Sequence, residues 1–292
     1  MPDSCIRRRL LFACRQTYGD AAPPKGTPVG WTAEPAFLTA GPNGIDRALI
    51  GRVDAGIVLA FRGTLAPFQK DSHGSGQVAR DWFNNVEFLS RDNPVYPGRV
   101  HKGFAQSVDA LWGQIVPAIQ GLIKPGGPNA LFVTGHSKGG ALANLAAWRA
   151  LGIHGLDAPI RVFTIAAARA GNADFRTAYQ AHGGIRCRRY EYLLDIVPLV
   201  PPGADTPGWA KPLIAAAWPH LADNNYAGVG TRVPAATGLV DRLQALRHYF
   251  GAFGMGSLKG DYLPLLAAAH SIGANSDYDK MICDGEPGCT HD

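Results

Sequence analysis

Residues 134–140 read Thr134-Gly135-His136-Ser137-Lys138-Gly139-Gly140 and contain the pattern Gly-x-Ser-x-Gly. A serine hydroxyl is a poor nucleophile at neutral pH. It attacks only when a sharp strand-to-helix turn holds it out toward a base that takes its proton. Such a turn is crowded, and Gly135 and Gly139 remove the side chains that would clash two residues either side of the serine. The chemistry implied is covalent catalysis at Ser137. The pattern alone is weak evidence. With 36 Gly and nine Ser among 292 residues, chance gives about 0.14 matches, so the surroundings must decide.

A nucleophilic serine needs a base, an acid that orients the base, and donors for the oxyanion. If the turn is that of an α/β-hydrolase, the chain order is serine, then acid, then histidine. Asp195 is the acid expected from that order. It follows the stretch 188–194, which reads as a strand, and leads Ile196-Val197-Pro198, where proline fixes a loop. Asp205, Asp223 and Asp241 are the alternatives. Four histidines come later: His220, His248, His270 and His291. His291 is the penultimate residue of the sequence, and His220 lies in a Trp/Pro-rich stretch that resists assignment. His248 falls on an expected helix, 238–250. His270 ends an alanine-rich helix, 262–269, and enters a loop. Catalytic groups are more often carried on loops, so His270 is expected as the base and His248 stays open as the alternative. The backbone N–H of Lys138 is the first expected oxyanion donor. Thr64 is the second, because Phe61-Arg62-Gly63-Thr64 ends a strand of purely apolar residues.

These groups work only if regular elements position them. Ala130–Thr134 reads as a short buried strand, and Leu142, Leu145, Ala146 and Leu151 recur at helical spacing after the serine. Strand, glycine turn and helix thus follow in the order the serine requires. Further strands are expected at 36–40, 48–53, 56–61, 161–166 and 188–194. Helices are expected at 5–18, 104–122 and 173–181. Strands alternating with helices argue for an α/β fold with a mostly parallel sheet and crossovers. Residues 201–236 carry no clear period, and 203–237 reads as an insertion or cap within a single domain spanning 1–292.

Composition narrows the partners. Apolar residues make up 46% of the chain, charged residues 17%, and the net charge is +5. This is a folded chain rather than a disordered one. No basic stripe carries interleaved aromatics, so nucleic acid is not an expected partner. No segment approaches the ~18 apolar residues of a membrane span. The apolar run after Arg7-Arg8-Arg9 is too short for a signal-peptide core, and the cysteines number five, an odd count. A cytoplasmic chain, or one exported without a cleaved signal, is therefore expected. Cys283 and Cys289 are spaced to close a small loop under oxidising conditions. No Cys/His cluster has metal-ligand spacing, and neither metal nor cofactor is implied.

Five segments together resemble the class 3 lipases, the family that includes the filamentous-fungal triacylglycerol lipases. They are Leu59-Ala60-Phe61-Arg62-Gly63-Thr64, Asp81-Trp82, Val100-His101-Lys102-Gly103-Phe104, the stretch from Val133 to Ala143 around the serine, and Asp195-Ile196-Val197-Pro198. The resemblance covers about residues 56–202. It implies an α/β-hydrolase fold and hydrolysis of lipid or small esters, with action at a lipid–water interface. It implies Ser137 as nucleophile, Asp195 as acid, and Thr64 and Lys138 as oxyanion donors. His270-Ser271 followed by Tyr278 resembles a stretched form of the family's terminal His-Ser-x-Tyr region, whereas His248 would give a more usual distance from Asp195. A phospholipase or acyltransferase on the same scaffold, or a non-catalytic binding protein, are the alternative readings. Two departures stand out. Lys138 replaces the commoner leucine, and its cation at the mouth would favour anionic or polar acyl groups. Residues 66–93, with Trp82, Phe83, Val86 and Phe88, occupy the place of the family's lid. Their apolar side chains fit either a lid or ordinary core packing.

Overall fold

The computed structural model describes residues 3–64, 94–192, 195–208, 210–217, 225–234 and 269–283. The expected lid at 66–93, the expected helix at 238–250, the expected helix at 262–269 except its last residue, and His220, His248, His291 and Cys289 lie outside these residues.

Nine strands are present among the described residues: β1 (Ala36–Ala40), β2 (Asp46–Val53), β3 (Gly56–Phe61), β4 (Ala130–His136), β5 (Asp157–Ile165), β6 (Gly171–Asn172), β7 (Ile185–Glu191), β8 (Tyr226–Ala227) and β9 (Thr231–Pro234). Seven form one sheet in the order β1-β2-β3-β4-β5-β7-β9, and β6 pairs with β8 apart from it. From β3 to β9 every neighbouring pair is parallel. The β1–β2 and β2–β3 pairs are antiparallel. The reason is the connections. Two residues join β2 to β3, and a parallel crossover needs a dozen or more.

Among the described residues six α-helices accompany the sheet: α1 (Asp3–Gln16), α2 (Lys102–Leu122), α3 (Lys138–Ala150), α4 (Ala173–Ala181), α5 (Ala210–Ala217) and α6 (Asp277–Cys283). Strand β3 explains the layering. Ile57, Leu59 and Phe61 face a core shared with Phe104, Val108 and Leu111 of α2 and Leu142 and Leu145 of α3. Val58 and Ala60 face the other core, shared with Leu10, Leu11 and Cys14 of α1 and with Tyr278 and Ile282 of α6. A strand buried on both faces must be apolar throughout, which accounts for the unbroken run from 56 to 61. This is the α/β-hydrolase arrangement, a mostly parallel sheet covered on both sides.

The expected boundaries shift at two strands. β5 begins at Asp157, four residues earlier than the apolar run, because an edge-of-run Pro159 is accommodated where strand pairing with β4 is irregular. β7 runs from Ile185 to Glu191, three residues earlier than expected, because the exposed Arg186 interrupts the apolar pattern at its start. In the stretch without a clear period, α5, β8 and β9 are formed, and β9 closes the edge of the main sheet.

Candidate active site

Strand β4 is central in the sheet, and its carboxyl end carries the elbow. Ser137 has φ 60° and ψ −129°, a conformation that costs a non-glycine residue about 1–3 kcal/mol. The turn survives because its neighbours over-determine it. The Ser137 amide donates to the Ile165 carbonyl at 3.1 Å and its carbonyl accepts from Gly140 at 3.0 Å. A Cβ at Gly135 would stand 2.1 Å from the Gly139 oxygen, and one at Gly139 would stand 2.3 Å from the Phe61 oxygen. The two glycines of the pattern are thus required by backbone-to-backbone approach. That approach also sets the end of β3 against the elbow. A Cβ at Gly63 would meet the His136 oxygen at 2.6 Å and the Ser137 Cβ at 3.0 Å. Arg62-Gly63-Thr64 therefore passes directly over the serine, with Thr64 half-buried at its end.

Asp195 lies in a turn just past β7, its amide donating to the Tyr192 carbonyl at 3.1 Å. Only 3% of the residue is exposed. Its Oδ1 accepts from the Val197 amide at 2.9 Å. Its Oδ2 accepts from His270 Nδ1 at 2.8 Å and from the Tyr278 hydroxyl at 2.8 Å. The Tyr278 oxygen in turn accepts from the Tyr192 amide at 3.0 Å. The carboxylate thus has a donor on every side, which suits an ionised acid that orients an imidazole. Asp205 is held elsewhere, by Arg169 at 2.9 Å and Arg176 at 3.2 Å.

His270 follows Ala269, which has helical backbone, and enters the loop before α6. The His136 imidazole, next in sequence to the serine, lies alongside it with ring centroids 4.6 Å apart. His136 Nε2 donates to the His270 carbonyl at 2.8 Å. Serine elbow, acid and histidine therefore meet at one place. Burial, and after it the neighbouring His270, holds the His136 imidazole well below its ordinary pKa.

Lys138 differs from its expected role at the mouth. Its ammonium is paired with Asp46 at 2.7 Å, with 14% and 9% of the two side chains exposed. The cation is neutralised at the start of β2 and is not offered to substrate, while the Lys138 N–H opens α3 beside Ser137. Arg62 fixes the same turn by donating to the Gly44 and Ile45 carbonyls, both at 2.9 Å.

Sequence reasoning missed Tyr18, His136, Asp46 and the acid-binding role of Tyr278. Only His136 carried a local signal, being the residue before the nucleophile inside the pattern. Among the described residues, no group of His, Cys, Asp or Glu is placed to hold a metal ion, and no helix is long and apolar enough to cross a membrane. Cys283 is a free, buried thiol of α6.

The family model for lipase (class 3) matches residues 58–204. A lipase of Rhizopus niveus is 34% identical over 149 residues, which are 50% of this chain and 35% of that protein. A phospholipase A1-II 3 of Oryza sativa subsp. japonica is 25% identical over 238 residues, 70% of this chain and 53% of that protein. The match thus spans about a third to a half of these relatives' lengths. Among solved structures, a lipase from Rhizopus microsporus var. chinensis shares the fold with a TM-score of 0.56 at 21% identity, over 82% of this chain and 76% of that one.

Proposed function

The chain belongs to the class 3 lipase family, and from that premise we propose that it hydrolyses carboxylic esters of lipids through an acyl-enzyme on Ser137. The observation that carries the reading is the Asp195–His270 contact at 2.8 Å beside the strained elbow of Ser137.

In this reading His270 Nε2 takes the proton of Ser137 as its oxygen attacks the ester carbonyl. Asp195 accepts from Nδ1, which keeps the proton there and leaves Nε2 free to act. It also stabilises the imidazolium that forms. The N–H groups of Thr64 and Lys138 receive the developing oxyanion, a contribution of about 3–4 kcal/mol per donor. The imidazolium then protonates the departing alcohol. Water, activated by the same imidazole, releases the fatty acid and frees the serine. Each step uses only residues of this chain.

A second reading is supported by the Oryza sativa relative, whose similarity extends over 70% of this chain. Glycerophospholipids are then the preferred esters, cleaved by the same chemistry. One experiment tests both. Fatty-acid release is measured on a triacylglycerol emulsion, on phosphatidylcholine vesicles and on p-nitrophenyl butyrate, with wild type and Ser137→Ala. Release from at least one lipid, lost in Ser137→Ala, is expected. Release by the variant at the wild-type rate on every substrate would refute the proposal.

A further inference from the structure

The base histidine needs more than its acid to stay aligned with the serine, and the structure carries a second set of restraints that starts on α1. The first runs through Tyr18, just past the end of α1. Its amide bonds the Arg15 carbonyl at 3.1 Å, so the residue continues the helix's last turn. Its hydroxyl lies 2.8 Å from His136 Nδ1. The directions of these bonds are forced. The His270 carbonyl can only accept, so His136 Nε2 carries the proton. A neutral His136 then accepts at Nδ1, and Tyr18 must donate. The Tyr18 oxygen also packs against Gly63, where a Cβ would stand 2.3 Å from it. One phenol thus touches the strand end over the serine and the elbow histidine, and reaches the base through the latter.

The second restraint runs through Arg15. Its Nε donates to the Ile272 carbonyl, and one terminal nitrogen donates to the Gly273 carbonyl at 2.9 Å and to Asp279 Oδ1 at 2.6 Å. Asp279 Oδ2 accepts from the Asn275 amide at 2.9 Å. The backbone of the loop from 270 to 275 is therefore held by the Arg15 and Asp279 side chains on both sides of its tip. Packing alone does not require this. Leu10 and Leu11 already bury α1 against the sheet, and Cys14 meets Thr134 of the elbow strand at 3.3 Å.

We propose that Tyr18 and Arg15 are positioning residues, which with His136 register the His270 loop against the Ser137 elbow and make the end of α1 a working part of the ester-hydrolysing site. The inference rests on the proposed function, since it assigns His270 as the base. Neither residue touches substrate. Their effect is on the distance and direction of the imidazole, where a misplacement of about 1 Å costs roughly 10²-fold in rate.

The test uses the full chain and three variants: Tyr18→Phe, Arg15→Met and Arg15→Lys. Backbone hydrogen exchange is followed over 269–276 and over β4. The kcat and KM on p-nitrophenyl butyrate are measured per active site, titrated with a fluorophosphonate. Tyr18→Phe and Arg15→Met are expected to speed exchange of 269–276 about tenfold without changing β4. They are expected to lower kcat per titrated site roughly 10-fold to 100-fold with KM within about twofold. Arg15→Lys, which keeps a cationic donor, should recover most of the rate. A merely structural role would lower the number of titrated sites and leave kcat per site unchanged, which would overturn the proposal. Unchanged exchange of 269–276 would overturn it as well, whatever the rates. If wild type itself turned over no ester, the functional reading would fall, and the exchange experiment would still decide whether α1 holds the loop.

Discussion

Replacing Asp195 by asparagine exchanges one carboxylate oxygen for an NH₂ group and tests why the acid must be charged. Three donors converge on the carboxylate: Val197 N–H on Oδ1, and His270 Nδ1–H and Tyr278 O–H on Oδ2. An amide has one accepting oxygen and one donating nitrogen. If its oxygen stays with Val197, its NH₂ faces Nδ1 and Tyr278. The imidazole then pairs only by moving its proton to Nε2, the atom that must receive the serine proton. If the amide turns over, NH₂ faces the Val197 N–H, and a buried donor goes unmet at about 1–3 kcal/mol. The wrong tautomer is therefore the cheaper state. The expected fall in kcat is about 10⁴-fold, or roughly 5.5 kcal/mol at 1.36 kcal/mol per decade. KM should change little, because the carboxylate lies buried beneath the imidazole. Steady-state hydrolysis of p-nitrophenyl butyrate, with a melting curve to show that the variant is folded, gives the answer. A folded Asp195→Asn within tenfold of wild-type kcat would refute the role given to this residue.

Three further outcomes follow from the same geometry. Gly139→Ala places a Cβ 2.3 Å from the Phe61 oxygen, so the strand end over the serine must move. Stability should fall by about 1–3 kcal/mol in a melting experiment, and kcat by roughly 10²-fold. Lys138→Leu keeps the backbone N–H but removes the partner of buried Asp46. It should cost about 1–3 kcal/mol of stability, while kcat stays within about threefold because the donor to the oxyanion is unchanged. His136 contributes to the pH dependence of stability. Its pKa is held well below the ordinary 6.5, mainly by burial, so below that pH the unfolded chain binds a proton that the folded chain does not. Its contribution is complete above about pH 6.5 and is lost as the pH falls, by up to about 1.4 kcal/mol per unit. His136→Gln should therefore show a shallower fall in Tm from pH 7 to pH 5, and parallel curves for variant and wild type would contradict this.

The parts legible in the sequence are those written in local pattern. The all-apolar run of β3 reports burial on both faces, and strand, glycine and helix around Ser137 report the elbow. The α/β fold follows from that alternation. β9 escaped because four residues are too few to show a period, and it is a strand only because β7 offers it an edge. β7 starts three residues before the expected strand because the exposed Arg186 breaks the apolar pattern there. Within the site, Asp195 and His270 stand out by chain order and loop position, and the structure brings them into contact. Tyr18 is 118 residues from its partner His136, and no local signal marks such a pair. The pairing of Lys138 with Asp46 is equally remote in sequence. A lysine beside the nucleophile reads as a free cation until its counter-ion, 92 residues earlier, is seen.

The central claim is that Ser137 is the nucleophile and His270 its base. The direct measurement is covalent labelling with diethyl p-nitrophenyl phosphate, followed by mass spectrometry of the modified peptide. One diethylphosphoryl group on Ser137 is the predicted result. It should be absent in Ser137→Ala, slowed at least roughly 10³-fold in His270→Ala, and undiminished in His248→Ala. Label on another residue, or labelling of Ser137 at the wild-type rate in His270→Ala, would contradict the account.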